Sequence, residues 1–384
     1  MLKYKIGICF LMINKTSIGI KFLFMIVIVH SFETCTIVEP ILKHQDGRFS
    51  SAELSNVPYA DDNGLVIDTR LLEIEGLPFT GAYNPSIEKV GTRYLITFRI
   101  DDIGQALIGT VLYDKDFMQK SSPKFFDFGD SLLPHDSRLF YFNKQLVCLY
   151  SHAFFKNLKS INPAFSPPWH LLTGIRQTLV LLDHNIQINK RIELLYGEPF
   201  EKNWTPFSCK DKKGKNNLYF IYKFNPHQVL HLNEDGQITK IIGPSSVPVL
   251  EELWEQKWGK IRGGTPAKLI DDEYLTFFHS FFSVDNKRFY VFGALTFEKH
   301  PPFSVTKISK YPIIFHECYS ATNRFAKPWG ETNIKYVIFP GGFVTRNVQG
   351  RDVFILACGE NDRAIRIVTL DKNKLMLSLK KICH

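Results

Sequence analysis

The sequence predicts an all-β chain, a five-bladed β-propeller, and three observations predict it. A unit consisting of a polar or Gly/Pro motif, an apolar strand, a turn, an aromatic strand and a closing polar residue recurs five times. No long amphipathic helix interrupts the series. The composition also suits strands. Of 384 residues 45% are hydrophobic and 14% aromatic, with 33 Phe and 15 Tyr, and such rings pack well on half-buried pleated surfaces. A chain of this length can bury a sizeable core.

The elements follow in order. Lys3, Lys5, Lys15 and Lys21 precede the apolar run Phe22–Val29. This pattern describes a secretory signal, or an uncleaved anchor over residues 18–29, within a targeting segment at 1–34. The run is short for a membrane span. The expectation is a secreted or periplasmic protein that meets a membrane only through this segment. Residues 35–74 form a lead-in, and 75–384 the propeller catalytic domain. The seven cysteines, at 9, 35, 148, 209, 318, 358 and 383, show no CxxC spacing. They indicate neither a disulfide framework nor a zinc site, and core packing is their expected role. No metal or cofactor is expected.

The first unit opens at Tyr83-Asn84-Pro85, runs through Ser86–Val90, turns at Gly91 and continues as Tyr94–Phe98 to Arg99. The second opens at His135-Asp136-Ser137-Arg138, turns at Asn143-Lys144 and ends on Ser151-His152. The third opens at Glu201-Lys202-Asn203-Trp204, turns through 210–217 and ends on Lys223, with His227 just beyond. The fourth opens at Arg262-Gly263-Gly264-Thr265-Pro266, turns at Asp271-Asp272 and ends on His279, after a short helix over 249–258. The fifth opens at Phe339-Pro340-Gly341-Gly342, turns through 346–351 and ends on Glu360-Asn361-Asp362. Residues Asn162–Trp169 are Pro-rich and read as a loop.

A hairpin places the start of its first strand beside the end of its second. Each opening motif and closing residue therefore share one end, and five hairpins around an axis gather them on one rim. A β-sandwich would leave that recurrence at matching strand ends unexplained. The rim then holds Asn84, Arg99, Asp136, Arg138, Lys202, Asn203, Lys223, His227, Arg262, His279 and Asp362. Glycosidic bond cleavage needs a carboxylic acid to protonate the leaving oxygen and polar groups to hold hydroxyls. The net charge of +9 and the four rim cations Arg99, Arg138, Lys202 and Arg262 suit an anionic co-substrate. Trp204, Trp254, Trp258 and Tyr83 can stack on sugars, though packing is the commoner role of such rings.

The ordered series Asn84-Pro85, Asp136-Ser137-Arg138, Glu201-Lys202-Asn203, Gly263-Gly264-Thr265-Pro266, Tyr274–His279, Gly293-Ala294-Leu295, Phe339-Pro340-Gly341-Gly342 and Asp362 resembles glycoside hydrolase family 130. That family comprises inverting β-mannoside phosphorylases and hydrolases on five-bladed propellers, with related mannosyltransferases that use nucleotide-sugars. The resemblance implies an oligosaccharide or glycan substrate, with phosphate or a nucleotide-sugar as partner and no nucleic acid. It implies Asp136 as general acid, direct or through a sugar hydroxyl. Asn84, Arg99 and Asp362 would hold the sugar beyond the scissile bond. Lys202, Asn203, His227, Arg262 and His279 would lie near anion or sugar, and Arg138 completes the motif of Asp136. Three departures stand out. His135 replaces an acidic residue, Ala357–Asn361 replaces a tyrosine-rich approach, and Lys223–His227 replaces a His-Arg pattern. Phosphorolysis or hydrolysis is the expected reaction; a glycosyltransferase and a non-catalytic sugar-binding propeller are the alternatives.

Overall fold

The computed structural model describes residues 57–382 apart from 78–80, 103–104, 129–132, 156–171, 285–286 and 322–333. They belong to a compact unit spanning Ile37–His384. The targeting segment at 1–34 and the loop Asn162–Trp169 lie outside the described residues.

The fold is all-β and propeller-like. After β1 (Val66–Leu72), the first sheet contains β2 (Tyr83–Val90), β3 (Arg93–Asp102), β4 (Gln105–Tyr113) and β5 (Lys124–Phe125). The second contains β6 (Pro134–Phe142), β7 (Gln145–Phe155), β8 (Leu172–Leu182) and β9 (Ile188–Leu194). The third contains β10 (Thr205–Lys210), β11 (Asn216–Phe224), β12 (His227–Leu232) and β13 (Ile238–Ser245). Each is an antiparallel meander in chain order.

The fourth repeat departs from the four-strand unit. Its sheet has seven strands: β14 (Arg262–Gly263), β15 (Lys268–Ile270), β16 (Glu273–Val284), β17 (Lys287–Glu298), β18 (Val305–Ser309), β19 (Ile334–Tyr336) and β23 (Leu379–Lys381). The first strand of the repeat is split at Gly264-Thr265-Pro266, where proline removes a ladder donor. β19 joins β17 in parallel, and β23 returns from the C-terminus to pair with β18. Helical turns over 248–258 precede this sheet, with Glu251–Glu255 in π-helical form. The last sheet contains β20 (Ile338–Val348), β21 (Arg351–Glu360), β22 (Ala364–Asp371) and, as outer strand, β1. The lead-in at 35–74 is therefore not all outside the sheets: its Val66–Leu72 closes the last one, opposite Ile365–Leu370.

Side chains alternate along a strand, and here both faces are covered. Along β21, Phe354, Leu356 and Cys358 face the seven-stranded sheet, whereas Val353, Ile355 and Ala357 face the first. Apolar layers likewise join the first sheet to the second, the second to the third, and the third to the seven-stranded sheet. Two-sided burial explains why these strands read as continuous apolar runs rather than as alternating ones. Cys148, Cys209 and Cys358 are buried in these layers as free thiols. The tryptophans Trp204, Trp254 and Trp258 are buried too, which leaves them no face for a sugar.

One ionic pair stabilises the seam where the chain ends meet. Glu360 and Arg366 are 0% and 1% exposed and paired through Arg366 Nε. Glu360 Oε1 also accepts from the Ala321 amide at 2.9 Å. Arg366 donates to Ser320 Oγ at 2.7 Å and to Glu317 Oε2 at 3.0 Å. Removing one member strands a buried charge, which costs about 3–5 kcal/mol. Glu360→Ala is expected to lower the urea midpoint accordingly, and Glu360→Leu with Arg366→Met to recover much of the loss.

Candidate active site

The opening motifs share a backbone device. Register shifts interrupt the ladders between Tyr83 and Ser86, between His135 and Arg138, and between Pro340 and Gly342. A bulge of this kind re-aims the extra residue. Asn84, Asp136 and Asn203 have positive φ of 44°, 49° and 62°. Asn and Asp tolerate this left-handed region better than other side-chain-bearing residues. Glycine holds the fifth motif, where a Cβ on Gly341 would lie 1.8 Å from the Pro85 carbonyl oxygen. Only a bare backbone can pass so close.

These bulges bring polar groups from different sheets together. Asn84 Nδ2 donates to Asp136 Oδ1 at 2.8 Å. Arg99 Nη1 lies 3.8 Å from the same oxygen, while its Nε and Nη2 donate to the two Asp101 oxygens at 2.8 and 3.1 Å. The Tyr83 hydroxyl donates to Asp101, and the Arg99 guanidinium lies 5.3 Å from the Tyr83 ring centroid. Arg138 is buried and does not pair with the Asp136 carboxylate. Its Nη1 donates to the backbone oxygens of Asp136 and Ser137 at 3.1 and 2.9 Å, and the guanidinium stacks 4.9 Å from the Phe339 centroid. His279 packs on the same ring at 4.5 Å, and Arg262 stacks on Phe281 at 4.5 Å. Buried polar atoms without a protein partner include Asn84 Oδ1, His135 Nε2, Arg138 Nε and Nη2, and His279 Nδ1. Such orphans suit a polar ligand or water.

Charge separates the carboxyl groups. Burial raises the proton affinity of Asp136, but the charges of Arg99, Lys202 and Arg138 outweigh it and hold the group well below the usual carboxylate range. Asp362, at φ 51° in the turn after β21, is affected in the opposite direction. Burial, with Asp136 and Asp101, lifts it to about 6 against the pull of Arg99 and Lys335. Burial and then the charges of Arg99 and Lys202 keep His135 neutral, and burial with Arg262 and Arg138 does the same for His279. Burial lowers Arg138 to about 10, so it still carries its charge at neutral pH.

Of the residues expected on the rim, Asn84, Arg99, Asp136, Arg138, Lys202, His279 and Asp362 act on one another as one group. Arg262 joins through His279, its cross-strand partner. Asn203 holds its positive φ just before β10, and a Cβ on Gly263 would lie 2.1 Å from its carbonyl oxygen. His227 is buried at the start of β12, where burial lowers it to about 4, and both of its ring nitrogens are buried without a protein partner. Lys223 is exposed, with its ammonium 5.0 Å from the Tyr222 centroid. Glu201 serves the fold, accepting from the Glu198 amide, the Tyr222 hydroxyl and Trp204 Nε1.

Sequence reasoning missed Asp101 and Lys335. Asp101 had a signal, since it lies two residues after Arg99 on one strand and so on the same face. Lys335 had none, because β19 belongs to no repeat.

No family profile and no curated protein matches the sequence. Solved structures share its fold. A β-1,2-mannobiose phosphorylase from Listeria innocua, solved with β-1,2-mannobiose, is 15% identical with a TM-score of 0.52, covering 84% of this chain and 99% of that one. MPT-4, a mannose phosphorylase from Leishmania mexicana solved with phosphate ion, is 13% identical with a TM-score of 0.53, covering 84% and 94%. A hypothetical protein from Leishmania major is 14% identical with a TM-score of 0.52, covering 81% and 92%. At these identities the likeness is one of fold.

The position of Asp362 has a consequence for stability. Its proton affinity is higher in the folded chain, with a value of about 6 against an ordinary 3.8, so stability falls as pH rises from 3.8 through about 6. Asp362→Asn removes that loss. The variant is expected to exceed the wild type by about 1–3 kcal/mol at pH 8 and to match it below pH 4, as read by chemical denaturation.

Proposed function

We propose that this chain is a divergent member of glycoside hydrolase family 130, a carbohydrate-active enzyme for β-mannosidic bonds that inverts configuration, with inorganic phosphate as its nucleophile. One observation carries the proposal: Asp136, hydrogen-bonded by Asn84, is surrounded by Arg99, Arg138 and Lys202 where the bulged opening strands converge. Two structures of the same fold come from mannoside phosphorylases, one of them solved with phosphate ion. The seven-stranded sheet counts as one blade in this reading, fourth in chain order and bringing the number to five, with β14 and β15 as its split first strand and β19 and β23 as additions. The apolar layers that link each sheet to the next, and the last back to the first, support that count.

Inverting hydrolysis requires a carboxylate base to activate water. Phosphate needs no such activation but does need cations, and Arg99, Arg138 and Lys202 around Asp136 supply them. The same anion prepares the acid. In the free protein the cations keep Asp136 ionised, and a bound phosphate offsets their charge and raises the carboxyl's affinity for a proton. Asp136 can then protonate the departing oxygen, directly or through a sugar hydroxyl. Asn84, Arg99 and Asp362 would hold the sugar, and Lys202, Asn203, Arg262 and His279 would surround it and the anion. Export through residues 1–34 belongs to the same proposal, because inorganic phosphate is found outside the cytoplasm whereas nucleotide-sugars rarely are. A reporter fused after Pro40 should leave the cytoplasm.

The decisive assay incubates the protein with manno-oligosaccharides, with and without phosphate, and follows mannose 1-phosphate. Asp136→Asn cannot donate an ionisable proton and is expected to cut turnover by ~10²–10⁴-fold while sugar binding survives. Lys202→Ala is expected to raise the phosphate concentration needed for half-maximal rate. Unchanged turnover in Asp136→Asn would remove it as the acid. Sugar phosphate absent from the wild type would remove phosphorolysis.

A further inference from the structure

We propose that the wall formed by β16 and β17 beyond the rim, with Arg262 and Arg288 on the Phe281 ring and Lys335 beside them, is a subsite for an anionic group carried by the glycan. The proposal rests on the mannoside-processing reading above and names a substrate class for it, mannosides that bear a phosphate ester or a carboxylate.

The wall follows from the strand lengths. β14 begins at Arg262, opposite His279, whereas β16 runs on to Val284 and pairs with β17 as far back as Lys287. The hairpin therefore continues past His279 for roughly 17 Å of strand. Side chains alternate across it. Phe282 and Val284 are buried on one face, where Phe282 packs against Trp258. Phe281, Ser283, Arg288 and Tyr290 are half-buried on the opposite face. Phe281 follows His279 by two residues, so this second face is the one that His279 occupies.

Cations crowd it. The guanidiniums of Arg262 and Arg288 lie 4.5 and 5.1 Å from the Phe281 ring centroid. Stacking on an aromatic face holds a guanidinium in place and leaves its N–H edge for another partner. Lys335 of β19 is the register partner of Arg288. The next pair in that register, Phe289 and Tyr336, stacks at 4.9 Å on the other face of the sheet, which puts Arg288 and Lys335 side by side on this one. Two cations so placed repel each other. Arg288 makes no ion pair with a carboxylate of the described residues, and its Nε is buried without a hydrogen bond. One carboxyl, Asp362, acts on Tyr290 together with Arg288 and Lys335, so these groups keep a net positive charge.

An anion relieves that repulsion. A phosphate ester or a carboxylate can take two parallel N–H donors from one guanidinium, and the Lys335 ammonium adds a point charge. The connection to the catalytic site is direct. Arg262 is the cross-strand partner of His279, and His279 packs on the Phe339 ring that also carries Arg138. Phe281 lies about 7 Å further along β16. An acidic group on the wall therefore belongs to a unit of the glycan beyond the sugar held at Asp136, while the inorganic phosphate of the reaction stays with Arg99, Arg138 and Lys202.

The test compares three β-mannosyl disaccharides that differ only in the sugar released: a neutral one, its phosphate ester and the corresponding uronate. In calorimetric titration of the full chain, the acidic forms should bind about tenfold or more tightly than the neutral one. Whichever of the two gains more identifies the acid. Added salt should shrink the difference. Arg288→Met keeps an apolar stem and should erase the difference, leaving affinity for the neutral disaccharide unchanged. Arg288→Glu should turn the preference against the acidic forms. Equal wild-type affinity for acidic and neutral forms overturns the proposal without any variant, and so does a preference that survives both substitutions. An Arg288→Met enzyme that needs more inorganic phosphate for turnover would assign the wall to the reaction's own phosphate and overturn it too. If the wild type makes no sugar phosphate yet prefers the acidic forms, and Arg288→Met abolishes that preference, the subsite stands and phosphorolysis falls.

Discussion

The closeness of the innermost strands at their opening ends governs the rest of the structure. Where Gly341 passes Pro85, and Gly263 passes Asn203, a single methyl group would collide with backbone at 1.8 and 2.1 Å. At such separations side chains cannot point along the usual alternating directions. The bulges at Asn84 and Asp136 turn them instead towards their neighbours. Asn84 of the first sheet thus reaches Asp136 of the second, although 52 residues separate them. The site exists because backbones touch there, and its polar residues are the ones that tolerate the required left-handed conformation.

Such a convergence is unfavourable taken alone. It gathers buried arginines, strained φ values and unpartnered polar atoms in one place, and each of these opposes folding. The compensation lies between the sheets, where Phe277, Phe292, Phe343 and Phe354 form one apolar layer and Phe98, Ile96 and Ile355 part of another. Closure adds to it. β1 supplies the last sheet with a strand from the N-terminal side, and Arg366 links that strand at Thr69 to the segment carrying Glu317 and Ser320. A fold closed from both chain directions can carry a strained, charge-dense centre.

Much of this was legible in the sequence. The hairpins centred on Gly91, Asn143-Lys144 and Asp271-Asp272 follow from turn chemistry, and the meeting of Asn84, Arg99 and Asp136 follows from matching strand ends. What escaped had no local signal. β19 and β23 join the fourth repeat's sheet through long-range pairing that no periodicity announces. Glu201 carries a motif's first letter, but its carboxylate is consumed by Tyr222 and Trp204. Motif letters give order along the chain; only packing shows which side chains remain available.

The three carboxyls around Arg99 show how environment assigns roles to one chemical group. Asp101 receives a bidentate guanidinium and a tyrosine hydroxyl, which leaves it a fixed counter-ion and orienter of Arg99. Asp136 receives one amide donor and the field of several cations, so its charge depends on what those cations also bind. Asp362 receives mainly burial and the repulsion of the other two. The chemistry of the site thus rests on the disposition of its charges, and the bulged strands set that disposition.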